Sequence, residues 1–222
     1  MNLPNQSSWW NSVGYLAVKK IVKTLADVHE QFGLSRSSRD DFFTEWQMRR
    51  SDISEAERLQ LDQVRQRFRY QREMGQFAEG TVNAIMVSRI LELAGFYDPP
   101  FRMNSEQTIE ISTRSPDLML RGRIDFLVIQ NQFWQAIIES KDTEFDVEVG
   151  IPQILAYMMG APKSQQILLG MVTNGSNFIF IKLHRGTVME YDFSDSFSLL
   201  SRQNCLYPVL QILKGIGEYI LD

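Results

Sequence analysis

Cysteine is nearly absent from this chain: Cys205 stands alone among 222 residues. A single thiol cannot close an internal disulfide, and it argues against a zinc site built from cysteines. Its place late in the chain, with no fixed histidine partner, marks it as structural rather than nucleophilic. This sparing use of thiols fits a reducing compartment, so a cytoplasmic protein is expected. Histidine is scarce too, and His29 and His184 are too isolated to point to a metal cluster or a catalytic triad. No apolar run reaches the ~20 residues of a membrane span. The opening MNLPNQSSWWNS lacks the basic start and apolar stretch of a signal peptide, so no membrane partner is expected. Positive charge is not in excess either: a formal net charge of −4 does not advertise a nucleic-acid binder.

What the sequence does hold is ample material for a core. Hydrophobic residues make up 44% and charged residues 23%, ordinary values for a globular protein. The length fits one domain, or one domain with an extension. A division into a helical N-terminal extension (1–72) and a main domain (73–222) is expected. Charge is unevenly spread. Residues 1–80 carry 12 Lys and Arg against 11 Asp and Glu, a balance of +1, whereas residues 81–222 carry 11 against 16, a balance of −5.

In the first part, apolar spacing predicts a helix from Trp9 to Phe32, ended by Gly33, and a short one from Asp41 to Arg50. Lys19, Lys20 and Lys23 lie together on the first, either a solvated face or a phosphate-contacting patch. Ser54 and Glu57 form a capping box for a charged helix over 55–70. Its Arg65, Arg67, Arg69 and Arg72 are either an exposed, ion-paired face or the lining of a DNA groove. Phe77 to Phe96 is the strongest helical pattern.

The stretch from Leu120 to Met159 organises the rest. Two apolar runs, joined by the polar Gln130-Asn131-Gln132, read as two strands and a tight turn. Each carries charge where a buried strand should have none: Asp125 in the first, Glu139 and Lys141 ending the second. Ionised groups are rarely buried unless paired or bound to metal. Glu139 and Lys141, two apart, share a face. Asp125 joins them if the connecting loop has an odd number of residues, and a three-residue loop at 131–133 would set it opposite Glu139. Two carboxylates held that close repel unless a cation lies between them, and Mg²⁺ suits an all-oxygen site. A helix follows, with Pro152 in its first turn and Gln153 and Tyr157 four apart on one face. An apolar strand over 166–172 and a turn at Asn174-Gly175 come next.

The order Asp125, then Glu139-Ser140-Lys141, resembles the D…(D/E)-x-K signature of the PD-(D/E)xK nuclease superfamily. Gly122-Arg123-Ile124-Asp125 resembles the G-x-x-D form of its first motif, with Ile124 where many members carry proline. Gln153 and Tyr157 are similar to the Q-x-x-x-Y of the RecB-like branch, and Val172-Thr173-Asn174-Gly175 resembles a turn in the nuclease domain of type I restriction motor subunits. The resemblance spans about residues 77–183. It implies an α/β (α+β) fold with a restriction-endonuclease-like αβββαβ core: a central mixed sheet flanked by helices.

The resemblance further implies a Mg²⁺-dependent endonuclease acting on DNA, in restriction or repair, with Mn²⁺ able to replace Mg²⁺. Asp125 and Glu139 would hold the metal, helped by the Ser140 carbonyl and by Glu79 (or Glu92) from the preceding helix. Lys141 would orient water, and Gln153 and Tyr157 would steady Lys141 or the substrate. DNA is the expected partner, within a homodimer or a larger complex. The alternative is a catalytically inactive DNA-binding or assembly subunit of a restriction complex, because a fold can outlive its chemistry.

Overall fold

The computed structural model describes residues 14–47, 52–76 and 78–219. Its elements run, in order, β1 (Gly14–Ala17), α1 (Val18–Ile21), α2 (Leu25–Phe32), β2 (Ser35–Arg36), α3 (Glu55–Glu73) and α4 (Glu79–Val82), which passes through a π-helical segment (Asn83–Val87) into α5 (Ser88–Leu93). Then come β3 (Phe101–Ser112), β4 (Leu118–Gln130), β5 (Phe133–Ser140), a 3₁₀ turn (Val147–Gly150), α6 (Ile151–Met158), β6 (Ile167–Thr173), β7 (Asn177–Arg185), β8 (Met189–Phe193), β9 (Phe197–Ser198) and α7 (Leu206–Glu218).

The strands form one mixed sheet in the order β1-β4-β5-β6-β7-β8-β2, with β3 along the other edge of β4 and β9 on β7. Helices cover both faces, so the fold is mixed α/β. On one side α3, α5 and α7 bury Leu61, Phe68, Ile90, Leu91, Leu210 and Leu213 against Val128, Ile138, Met171 and Phe180. On the other, α1, α2 and α6 bury Val18, Val28, Phe32, Ile154 and Leu155 against Ile124, Ile137, Val172 and Ile181. Ile137 and Ile138 fall on opposite faces, as strand alternation requires.

The N-terminal part differs from the expected helical extension. Residues 14–17 form an edge strand parallel to β4, and residues 35–36 pair in parallel with β8. The helix expected from Trp9 to Phe32 is two helices, because Val22 turns to an extended conformation and Thr24 opens α2 with a capping box on Asp27. Trp9 and Trp10 lie outside the described residues. Over 41–47 there are turns and no helix. Two of the α3 arginines have backbone partners: Arg65 donates to the carbonyls of Ser201 and Arg202, and Arg69 to that of Leu199 at 2.8 Å. They fasten the loop before α7.

One feature of β4 positions the site. Its edge facing β5 is shared. Residues 118–121 pair with β1 and residues 126–130 with β5. Between them the edge at 122–125 is open, a fork in the sheet. On the opposite edge the β3 ladder skips one step. Ser105 pairs with Phe126 and Gln107 with Ile124, but Glu106 between them has φ +53°. At the same place the alternation of β4 breaks: Ile124 and Leu127, three apart, enter the same core.

Candidate active site

Six of the residues singled out in the sequence, Asp125, Glu139, Ser140, Lys141, Gln153 and Tyr157, meet at the fork. The β4–β5 turn is shorter than expected: Gln130 pairs with Phe133 across two residues, with Asn131 at φ +55°. A bulge at Gln135 then shifts the register, so that Val128 faces Ala136 and Phe126 faces Ile138. Continued one step, this register sets Asp125 opposite Glu139. The odd residue needed to align the two acids comes from the bulge, not from the loop. Gln135 itself is buried and donates to the carbonyls of Ile216 and Tyr219, closing the end of α7.

Where β4 leaves β5, the Asp125 side chain takes over from the backbone. Asp125 Oδ2 accepts from the amide and the hydroxyl of Ser140, both at 2.7 Å. Among the described residues nothing else donates to this carboxylate. Glu139 is fully buried. Lys141 Nζ donates to Glu139 Oε1 and, at 3.0 Å, to Gln153 Oε1. Gln153 Nε2 then donates to the Tyr157 hydroxyl. One side-chain chain thus runs from the end of β5 along α6, joining Glu139, Lys141, Gln153 and Tyr157.

Electrostatics at this point are unfavourable to charge. Burial first, and then the neighbouring Asp125 charge, outweigh the help of Lys141 and raise the Glu139 carboxyl from 4.5 to about 8. Burial and the Glu139 charge also drive the Tyr157 phenol well above its usual range, so it stays protonated. Glu139 Oε2 is buried and has no hydrogen-bond partner among the described residues. Native structures rarely leave such an atom orphaned, and a carboxylate oxygen least of all.

Glycines let these parts approach. A Cβ on Gly122, in the open edge of β4, would run into the Tyr157 ring and stand 3.1 Å from Val18. A Cβ on Gly150 would stand 2.5 Å from Val172 and 3.4 Å from Lys141 Cε. Both positions let α6 lie directly on the site.

Of the two helix glutamates, Glu92 is exposed and paired with Arg89 at 3.1 Å, away from the fork. Glu79 lies near it. Its carboxyl is half-buried and raised, first by burial and then by the Asp125 charge, with Lys141 and Lys19 opposing. Asp142, directly after Lys141, brings it there by accepting the Glu79 amide at 2.6 Å. That cap replaces the side chain that Ala78, at the N-cap of α4, lacks. No local spacing links Asp142 to this helix; an alanine at the N-cap is the one sign that a cap must come from elsewhere. Among the described residues, no three acidic, histidine or cysteine side chains converge tightly enough to form a metal cluster, so Glu79 stands beside the Asp125–Glu139 pair without joining it. Thr173 and Asn174 serve as supports. The Thr173 carbonyl accepts from the Lys141 amide at 2.8 Å, and Asn174 Nδ2 donates to the Phe145 carbonyl at 2.8 Å, holding the loop after Lys141.

No protein-family model matches the chain, and no curated protein matches it. Among the described residues no helix is long and apolar enough to cross a membrane.

Proposed function

We propose that the protein is a metal-dependent nuclease of the PD-(D/E)xK type, hydrolysing DNA phosphodiester bonds. The observation that carries this reading is Glu139 Oε2, an orphaned carboxylate oxygen buried beside a second carboxylate. A cation removes both penalties together: it supplies the missing partner and relieves the repulsion. The donors are hard oxygens, with neither thiolate nor imidazole, which fits Mg²⁺ or Mn²⁺.

Asp125 and Glu139 would hold the ion, with the Ser140 carbonyl as a neutral ligand; Glu79, outside the pair, would add negative charge beside the ion rather than a direct ligand. When bound, a divalent cation supplies Lewis acidity toward a phosphate oxygen and offsets the charge that develops during displacement. The protein's own groups do the rest. An ammonium has three donors; Lys141 gives one to Glu139 and one to Gln153, keeping one for the attacking water or the phosphate. Gln153 fixes Nζ in place, and Tyr157 fixes Gln153. Burial of Lys141 and Glu139 keeps bulk water from screening the donor as negative charge develops. A role in restriction or repair, and a homodimer or larger assembly, belong to the same proposal.

The test is direct. Purified protein is incubated with linear, supercoiled and single-stranded DNA plus Mg²⁺ or Mn²⁺, beside Lys141→Ala. Cleavage that EDTA and the substitution both abolish supports the enzyme. DNA binding without cleavage under every condition favours an inactive binding subunit instead.

A further inference from the structure

Beside the fork runs a groove of about 370 Å³, lined among others by Val18, Lys19, Arg121, Gly122, Arg123 and Tyr157. Its floor is the open edge of β4, and one wall is the Tyr157 ring, whose hydroxyl ends the chain leading to Lys141. The groove therefore shares Tyr157 with the site and lies on its β1 side, where α1 leaves the sheet.

The three cations along it are not equivalent. Arg121 is held by Glu110 at 2.9 Å and lies over the Tyr15 ring. Arg123 pairs loosely with Glu106 at 3.7 Å. Lys19 is exposed and, among the described residues, makes no ion pair or hydrogen bond. It is nonetheless close enough to the fork for its charge to be felt by both Glu79 and Glu139. An uncompensated ammonium held beside an acidic site, in a chain with an overall negative charge, is placed to draw in an anion that the carboxylates would repel.

We propose that Lys19 binds the backbone phosphate next to the scissile one, and that the groove between α1 and β4 carries the nucleic-acid strand away from the site. This inference rests on the nuclease reading. Lys19 makes no bond that the fold needs, so its replacement leaves a folded protein. The other lining cations already have carboxylate partners, so Lys19 is the residue whose loss the substrate would feel.

The experiment measures steady-state cleavage of a fluorescent oligonucleotide, and its salt dependence, for the full chain, Lys19→Ala and Lys19→Arg. For Lys19→Ala, KM should rise about five- to tenfold, and the slope of log affinity against log salt should become shallower by about one phosphate contact. Lys19→Arg should restore most of both. Wild-type cleavage with an unchanged KM and slope in Lys19→Ala would overturn the inference alone. So would a loss confined to kcat, since Lys19 would then act on the carboxylates rather than on the substrate. A wild type that neither cleaves nor binds the oligonucleotide removes the nuclease reading, and this inference with it.

Discussion

The ring of Tyr157 occupies the space that a side chain on Gly122 would need. Helix α6 can therefore sit against the open edge of β4 only while that position stays bare. Gly122→Ala should push Tyr157 aside and, through Gln153, misplace Lys141. Overpacking a buried contact costs about 1–3 kcal/mol. The expected outcome is a lower Tm and a loss of DNA cleavage larger than that of Tyr157→Phe, which keeps the ring. Paired thermal melts and cleavage assays check this.

A buried acid with a raised pKa sets the pH dependence of the metal-free protein. The Glu139 carboxyl keeps its proton up to about 8 when folded, while in the unfolded chain it loses it near 4.5. The folded state therefore binds the extra proton between these values, and stability falls as pH rises through that window. Below it both states are protonated and the stability is fully present. Above it the penalty is complete. Melts in EDTA should show Tm falling between pH 5 and pH 8.5, and Glu139→Gln should flatten this slope.

Divalent metal should reverse that behaviour. The ion binds the ionised carboxylates, so its affinity rises with pH and binding releases protons. Saturating Mn²⁺ at pH 8 should raise Tm; at a hundred times Kd the gain is about 2.7 kcal/mol. Asp125→Asn and Glu139→Gln should each lose most of the shift. Titration calorimetry in two buffers of different ionisation heat would count the protons released.

The bulge residue Gln135 has a purely structural task. Its amide caps two carbonyls at the end of α7, those of Ile216 and Tyr219. Gln135→Leu should cost about 1–2 kcal/mol by removing a buried donor from each of them. For a chain of this size that is a fall in Tm of about 2–4 °C per kcal/mol. Because the same bulge sets Asp125 opposite Glu139, the Mn²⁺-induced rise in Tm should shrink as well.

Much of the site could be read from the sequence because it uses local rules. Glu139 and Lys141 share a face through strand alternation, and Gln153 and Tyr157 through the helical repeat. The Asp125–Glu139 opposition was legible in outcome but not in cause, since a bulge depends on what lies beneath the strand, here the end of α7. Glu79 and Glu92 lie on one helical pattern, which offers Glu79 first and Glu92 as the alternative. They were separated by Asp142, sixty-three residues beyond Glu79. Lys19 read as one member of a lysine cluster, because nothing local shows that β1 joins the sheet beside β4.

From the sequence alone follow the strand–turn–strand with charged ends, the helix behind it, and the apolar strand that comes next. Periodicity and turn residues specify these within a few neighbours along the chain. Only the folded chain decides that β4 is shared between β1 and β5, that the gap between them admits the Asp125 carboxylate and the Tyr157 phenol, and that Glu139 Oε2 is left without a donor among the described residues. Those facts depend on backbone edges and burial, which arise when distant segments compete for the same hydrogen bonds and the same space.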